Sequence, residues 1–476
     1  MPTYVYFFLA LAALIIGYFT YGVLVEKLFG VKENRPTPVC KYEDSVDYVK
    51  LTPKKIFLIQ LLNIAGLGPI FGPILGALYG PSALLWVVFG CIFVGAVHDF
   101  CTGMMSVRYD GKSIPDVVGY NLGNGIKAVM QVFTVIMLIL VGVVFVAGPA
   151  GLLAKITGLN LMFWVVVVFV YYILATLLPI DKIIGRFYPF FGIFLAFMAV
   201  GLIVGLFCSD YTVLNESFLR PAVHPEGLPI WPMVFITIAC GAVSGFHATQ
   251  STMMSRCITS ERYGRRIFYG AMIAEGVIAL IWVTLGMSVY PTPEALSEVM
   301  GPSGNAALVV EDVSFKLLGS VGGAMAVLGV IVLPITSGDT AFRSARLIMA
   351  DAFNFSQKKI MPRLILALPI FAVAIALNCV DFSVLWRYFG WGNQTLAAIV
   401  LWASAVYMLK REKFHWIASL PAMFMTAVSV AYICMEPKLG FNLGAEAANV
   451  IAVVFSAACM FLMLMFGKKK ALPDFD

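Results

Sequence analysis

Two interrupted hydrophobic segments decide how this chain is read: Ile64-Ala-Gly-Leu-Gly-Pro-Ile-Phe-Gly-Pro73 and Ala239-Cys-Gly-Ala-Val-Ser-Gly-Phe-His-Ala-Thr-Gln-Ser251. Pro69 and Pro73 have no amide hydrogen to give to a helix, and each glycine costs about 1 kcal/mol relative to alanine in a helix interior. In a hydrocarbon environment a freed backbone group costs several kcal/mol unless protein, water or ligand meets it, so irregular backbone at membrane depth lines a cavity. Half-helix N-termini at such a cavity favour a carboxylate, and freed carbonyls suit a cation. The competing reading is that Gly72-x-x-x-Gly76 and Gly241-x-x-x-Gly245 only let helices approach closely.

The surrounding sequence places both segments in a membrane. The chain has 476 residues, of which 61% are hydrophobic and 12% charged, and its mean hydropathy is +0.92. A soluble protein carries about 25% charged residues. Apolar runs long enough to cross a hydrocarbon core of about 30 Å recur throughout. They predict thirteen spans, near 4–24, 56–80, 82–107, 126–153, 159–178, 184–208, 230–255, 264–289, 316–342, 360–379, 384–409, 414–435 and 444–466. The positive-inside rule tests that count through the parity of the loops. Of the 32 basic residues, 27 fall on one set of alternate segments, and only Lys155, Arg220, Lys316, Arg387 and Lys438 fall on the other. This places the N-terminus outside and the C-terminus in the cytoplasm. The net charge of +6 follows from that bias and calls for no nucleic-acid partner.

No cleavage site follows the first apolar run convincingly, so the first helix is expected to be retained. The nine cysteines are scattered without C-x-x-C spacing and read as apolar filling, neither disulfides nor ligands. The segments 209–229 and 290–315 read as the longest outside loops.

The two breaks lie five spans apart, and an odd separation reverses their direction across the membrane. Paired interruptions of this kind point to an inverted repeat with the binding site at the repeat interface. The expected fold is therefore an all-α polytopic membrane protein built on a five-plus-five inverted repeat. Residues 1–55 supply an accessory helix and linker, 56–208 the first repeat, 209–409 the second, and 410–476 two accessory helices.

Polar groups inside the spans are few, and intramembrane ionisable residues are functional candidates by default. They include Gln60, Asn63, His98, Asp99, His247, Gln250, Glu275, Thr336, Ser337, Asp339, Arg343, Asn393 and Gln394. His98 and Asp99 read either as a proton relay or gate or as a structural pair; their side chains leave a helix about 100° apart. Asp339 and Arg343, at i and i+4, are also compatible with an internal ion pair. No metal or nucleophile constellation of an enzyme is visible. Gly111-Lys-Ser113 lacks the glycine of a P-loop, with Ser106 in its place, and Gly66-x-Gly68-x-x-x-Gly72 has one residue too many for a dinucleotide fingerprint.

Several stretches resemble the carbon starvation protein A family: Arg35-Pro-Thr-Pro38, Ala65-Gly-Leu-Gly-Pro-Ile-Phe-Gly-Pro-Ile-Leu-Gly76, Gly95-Ala-Val-His-Asp-Phe100, Ile335-Thr-Ser-Gly-Asp-Thr-Ala-Phe-Arg-Ser344 and Leu385-Trp-Arg-Tyr-Phe-Gly-Trp-Gly-Asn-Gln-Thr395. The resemblance covers nearly the whole chain. It implies an inner-membrane, proton-coupled transporter of pyruvate or peptides, used under nutrient limitation, with the LeuT-type fold. Larger members carry a His-His pair where this chain has Gln60 to Asn63, and they run longer at the C-terminus.

In sodium-coupled proteins of the LeuT type, the helix matching the ninth span offers adjacent hydroxyls to a cation. By that resemblance Thr336 and Ser337 are expected to face carbonyls near Ala65 and Gly68, with Asp339, His98, Asp99 and Glu275 as further coupling candidates. The alternative for both hydroxyls is a bond to their own helix. Gly66, Gly68, Gly72, Ser244, Gly245, His247, Gln250, Asn393 and Gln394 are the expected substrate contacts. The expected function is import of a small carboxylate, pyruvate before peptides, with H+ or Na+ as coupling ion, no cofactor, and only substrate and membrane lipid as partners. A nutrient sensor that binds without transporting is the remaining class.

Overall fold

The computed structural model describes residues 2–44, 47–177, 180–220, 224–302, 304–357, 359–438 and 440–468, with side chains for all of these but 180–187 and 383. Lys358, Lys469 and Lys470 of the basic set lie outside the described residues, as do the side chains of Lys182 and Arg186.

The described residues form helices and connecting loops, with no strand among them. Among the described residues, ten helices are long and apolar enough to cross a membrane, and the bent pair Pro53–Ile64 and Gly68–Tyr79, which meet at 48°, makes an eleventh if it is counted as one span. Two further predicted spans correspond to Leu161–Leu177, a shorter apolar helix, and to Ile230–Thr237 with Phe246–Ser255, which flank the second break.

Burial orders the bundle. The most hydrophobic windows of Glu261–Val289 and Val384–Lys410 are 89% buried, whereas those of Tyr4–Phe29 and Ala445–Phe466 are only 22% buried. The first and last helices are peripheral, and their outward Leu, Ile, Phe and Val side chains suit lipid. The helices that follow the two breaks share a further irregularity, a π-helical stretch at Trp86–Gly95 in one and at Arg265–Tyr269 in the other.

Two predicted loops are helical. Within 290–315, Pro293–Met300 is a helix whose first turn is capped by Thr292, and Asn305 caps the helix that starts at Ala306. Proline at the first helical position and Thr or Asn just before it are helix-start signals, so the composition read as loop was punctuation. That second helix runs Ala306–Phe353, with Gly319 at φ +67° interrupting it near its start. Ile114–Leu122 is likewise a buried helix in what reads as a connection.

The linker after the first helix closes onto the basic side of the bundle. Fully buried Glu261 accepts the Lys32 amide at 2.9 Å, Arg35 Nη1 at 3.3 Å, and Arg108 Nε and Nη2 at 3.1 Å each. Arg108 also donates to Tyr407 and to the Gly30 carbonyl, and its guanidinium lies over the Phe29 ring. A buried charge needs such full pairing.

Candidate functional site

The first break begins with one diverted hydrogen bond. The Gly66 amide turns back to the Ile64 carbonyl at 2.8 Å, where a continuing helix would give it to Leu62, four residues earlier. The freed Leu62 carbonyl then accepts the Thr336 hydroxyl at 2.9 Å or the Ser337 hydroxyl at 3.3 Å. Both hydroxyls also lie near the Leu333 carbonyl of their own helix, at 2.7 and 3.1 Å. Two hydroxyls and two carbonyls thus face one another across two elements. The carbonyl presented is Leu62, three residues before the expected Ala65. Tyr188 extends the network, donating to Asn63 Oδ1 at 2.7 Å.

The two breaks pack directly on each other. A Cβ on Gly68 would lie 2.2 Å from that of Cys240, so only glycine fits at this crossing. The second break turns at Gly241, whose φ of +88° suits glycine. Its amide donates to Glu275 Oε1 at 3.1 Å.

Asn393 closes the other end of the second break. Its Oδ1 accepts the Phe246 amide at 2.7 Å and its carbonyl accepts the Gly245 amide at 3.2 Å. Ser244 bonds the same side chain, and Gln394 donates to the Phe235 carbonyl at 2.7 Å. The N-terminus of helix Phe246–Ser255, read from the sequence as a place for an anionic ligand, has these donors engaged by span eleven.

A row of ionisable groups crosses between three elements. His98 Nδ1 lies 2.8 Å from Asp99 Oδ1, Asp99 Oδ2 lies 3.0 Å from His247 Nδ1, and His247 Nε2 lies 3.4 Å from Glu275 Oε2. His98 and Asp99 bond each other despite leaving the helix in different directions. Asp99 and Glu275, 176 positions apart in the numbering of the chain, meet at one imidazole.

Asp339 stands apart from this row. Its Oδ2 accepts the Tyr171 hydroxyl at 3.0 Å, and its buried Oδ1 has no hydrogen-bond partner. Arg343, one turn on, reaches the Ala175 carbonyl. Gln250 donates to its neighbour Thr249 at 3.1 Å, while Gln60 bridges to Ser251 at 3.0 Å and so joins the two half-helices.

All the predicted site residues are buried, including Ala65, Gly66, Gly68, Gly72 and Gly245. Leu62, Asn393's capping role and the tyrosines 171 and 188 were not expected from sequence. A tyrosine hydroxyl inside an apolar run is the available signal, because a buried hydroxyl requires a partner.

This arrangement of broken helices belongs to an all-helical membrane protein of the LeuT-like fold. A variant of the manganese transporter of Eremococcus coleocola superposes with a TM-score of 0.58 at 11% identity, covering 90% of this chain and 98% of that one. A nucleobase-cation-symport-1 family transporter in a closed conformation gives 0.52 at 12% identity, over 90% and 99%. The chain belongs to the family described as carbon starvation protein CstA, whose sequence model matches residues 3–157, 148–317 and 303–431.

Three relatives mark its range. An uncharacterized membrane protein of Haemophilus influenzae is 46% identical over 62% of this chain and 94% of its own length. A protein of Bacillus subtilis named peptide transporter CstA is 26% identical over 96% and 94%. The Escherichia coli pyruvate/proton symporter BtsT is 27% identical over 58% of this chain and 48% of its own length.

Proposed function

We propose that the chain is a secondary active transporter that imports a small carboxylate, pyruvate foremost, together with a cation, the proton being the expected coupling ion. The observation that carries this reading is the pair of hydroxyls, Thr336 and Ser337, placed between the freed Leu62 carbonyl and the Leu333 carbonyl of their own helix. A hard cation wants oxygen ligands, and a cation held there ties the first broken helix to span nine. Asp339, two positions beyond Ser337, has one unpartnered carboxylate oxygen and serves as the proton site in this scheme.

The substrate carboxylate meets the N-terminus of the half-helix at Gly68, where the dipole is positive. Closure excludes water, and alternate opening of the two sides moves substrate and cation together. In this reading the chain sits in the bacterial inner membrane with its N-terminus outside and its C-terminus in the cytoplasm. The name of the Bacillus subtilis relative favours a second reading, peptide uptake, in which a buried carboxylate receives the peptide ammonium.

Uptake of labelled pyruvate and of a labelled dipeptide into proteoliposomes, under separately imposed pH and sodium gradients, separates these readings. Gradient-dependent accumulation of pyruvate supports the first and accumulation of dipeptide alone the second. Binding of either without accumulation under any gradient contradicts both and leaves a sensor.

A further inference from the structure

We propose that Cys240, His247 and Glu275 form a binding site for a divalent transition-metal ion of the zinc or cobalt type. The proposal does not depend on the transport reading. Cys240 lies in the second break, His247 in the first turn of the helix after it, and Glu275 on the neighbouring span. Their sulfur, nitrogen and oxygen atoms all lie within 4.8 Å of one another. Cys240 is 2% exposed and the other two 0%.

The geometry between the harder donors already fits an ion. His247 Nε2 and Glu275 Oε2 face each other at 3.4 Å, close to the spacing of two ligand atoms each about 2.0–2.1 Å from a tetrahedral zinc. Neither atom makes a well-directed hydrogen bond, and each is balanced chiefly by the other. Two fully buried polar atoms left this way carry a desolvation penalty that a shared ion would remove. Cys240, read from the sequence as apolar filling, supplies the soft donor that selects zinc or cobalt over magnesium or calcium.

The surroundings of these three side chains are those of a held ligand set. Asp99 Oδ2 meets His247 Nδ1 at 3.0 Å, so a proton on Nδ1 would leave the Nε2 lone pair directed at the site. His98 in turn bonds Asp99 at 2.8 Å, and the Gly241 amide fixes the other oxygen of Glu275 at 3.1 Å. A carboxylate behind a ligating imidazole orients it and raises its basicity. Asp99 is thus a positioning residue.

Charge completes the case. Two buried carboxylates and a thiol beside His247 accumulate negative charge that a dication neutralises, with the thiol proton released on binding. Three protein ligands leave the fourth tetrahedral position for water or for a carboxylate oxygen.

The test is a cobalt titration of the full-length protein in nanodiscs, reduced and stripped of metal with a chelator. One equivalent of Co2+ should give the visible bands of a tetrahedral ion and a thiolate-to-cobalt charge-transfer band, both erased by Zn2+. The same spectrum should survive replacement of the other eight of the nine cysteines by serine. Cys240→Ser should lose the charge-transfer band, and Asp99→Asn should weaken binding about 10–100-fold. Should the variants not be recovered folded, zinc X-ray absorption on the unaltered protein gives the answer, with one sulfur among its ligands expected. Absence of the charge-transfer band, its persistence in Cys240→Ser, or a zinc shell without sulfur overturns the proposal. A cluster that binds only protons gives the first of these results.

Discussion

The Thr336 hydroxyl lies 2.9 Å from the Leu62 carbonyl, 274 residues away in sequence, and that carbonyl is free because Gly66 has turned its amide elsewhere. One diverted hydrogen bond therefore links the break to span nine. Thr336→Ala and Ser337→Ala should each weaken the cation dependence of uptake about fivefold, since one hydrogen bond contributes about 1 kcal/mol net. The double variant should lose it while its abundance in the membrane stays unchanged. Initial uptake rates against cation concentration measure this.

At the crossing of the breaks, Gly68→Ala would put a methyl group 2.2 Å from the Cys240 Cβ. Uptake should fall at least tenfold. Adding Cys240→Gly should restore part of it, because that change removes the obstructing atoms. A single variant with normal uptake would mean that the breaks separate there throughout the cycle.

Asp339→Asn should abolish uptake driven by a pH gradient but leave exchange of labelled for unlabelled substrate across the same membrane. Exchange needs the site to open to both sides and requires no net proton movement. Loss of both activities would assign Asp339 to the fold or to substrate, not to coupling.

Removing one partner of a buried ion pair costs about 3–5 kcal/mol, because the other is left uncompensated. Arg108→Ala should lower the thermal stability of the purified protein by less than that full cost, as Glu261 loses two hydrogen bonds at 3.1 Å but keeps Arg35 and the Lys32 amide. Lys50→Ala, which breaks an exposed pair with Glu43, should change it little. Melting curves in detergent compare the two.

What could be read from the sequence was what single segments impose. The glycines and prolines at 64–73 and the glycines at 239–251 marked helix breaks, although the first break spans only Ala65 to Leu67 and Gly72 and Pro73 continue the helix after it. Thr336, Ser337, Asp99 and Glu275 stood out because polar groups are rare in lipid. Which groups meet was not legible. Nothing near Leu62 marks it as the carbonyl presented, since that follows from a turn taken four residues later. Asn393 caps the second break from 147 residues away, and His247 lies between Asp99 and Glu275 only because three separate elements pack together. The helices Ile114–Leu122 and Pro293–Met300 are too short to show a clear period, and their turn-like residues are in part their caps.

The most direct test of the central claim is pyruvate accumulation in proteoliposomes under an imposed pH or sodium gradient, compared with the Thr336→Ala, Ser337→Ala double variant. Concentrative uptake by the unaltered protein, collapsing when the gradient is dissipated and absent in the variant, is the predicted result. Accumulation that is indifferent to the gradient, or equal in both proteins, would contradict coupled transport through this site.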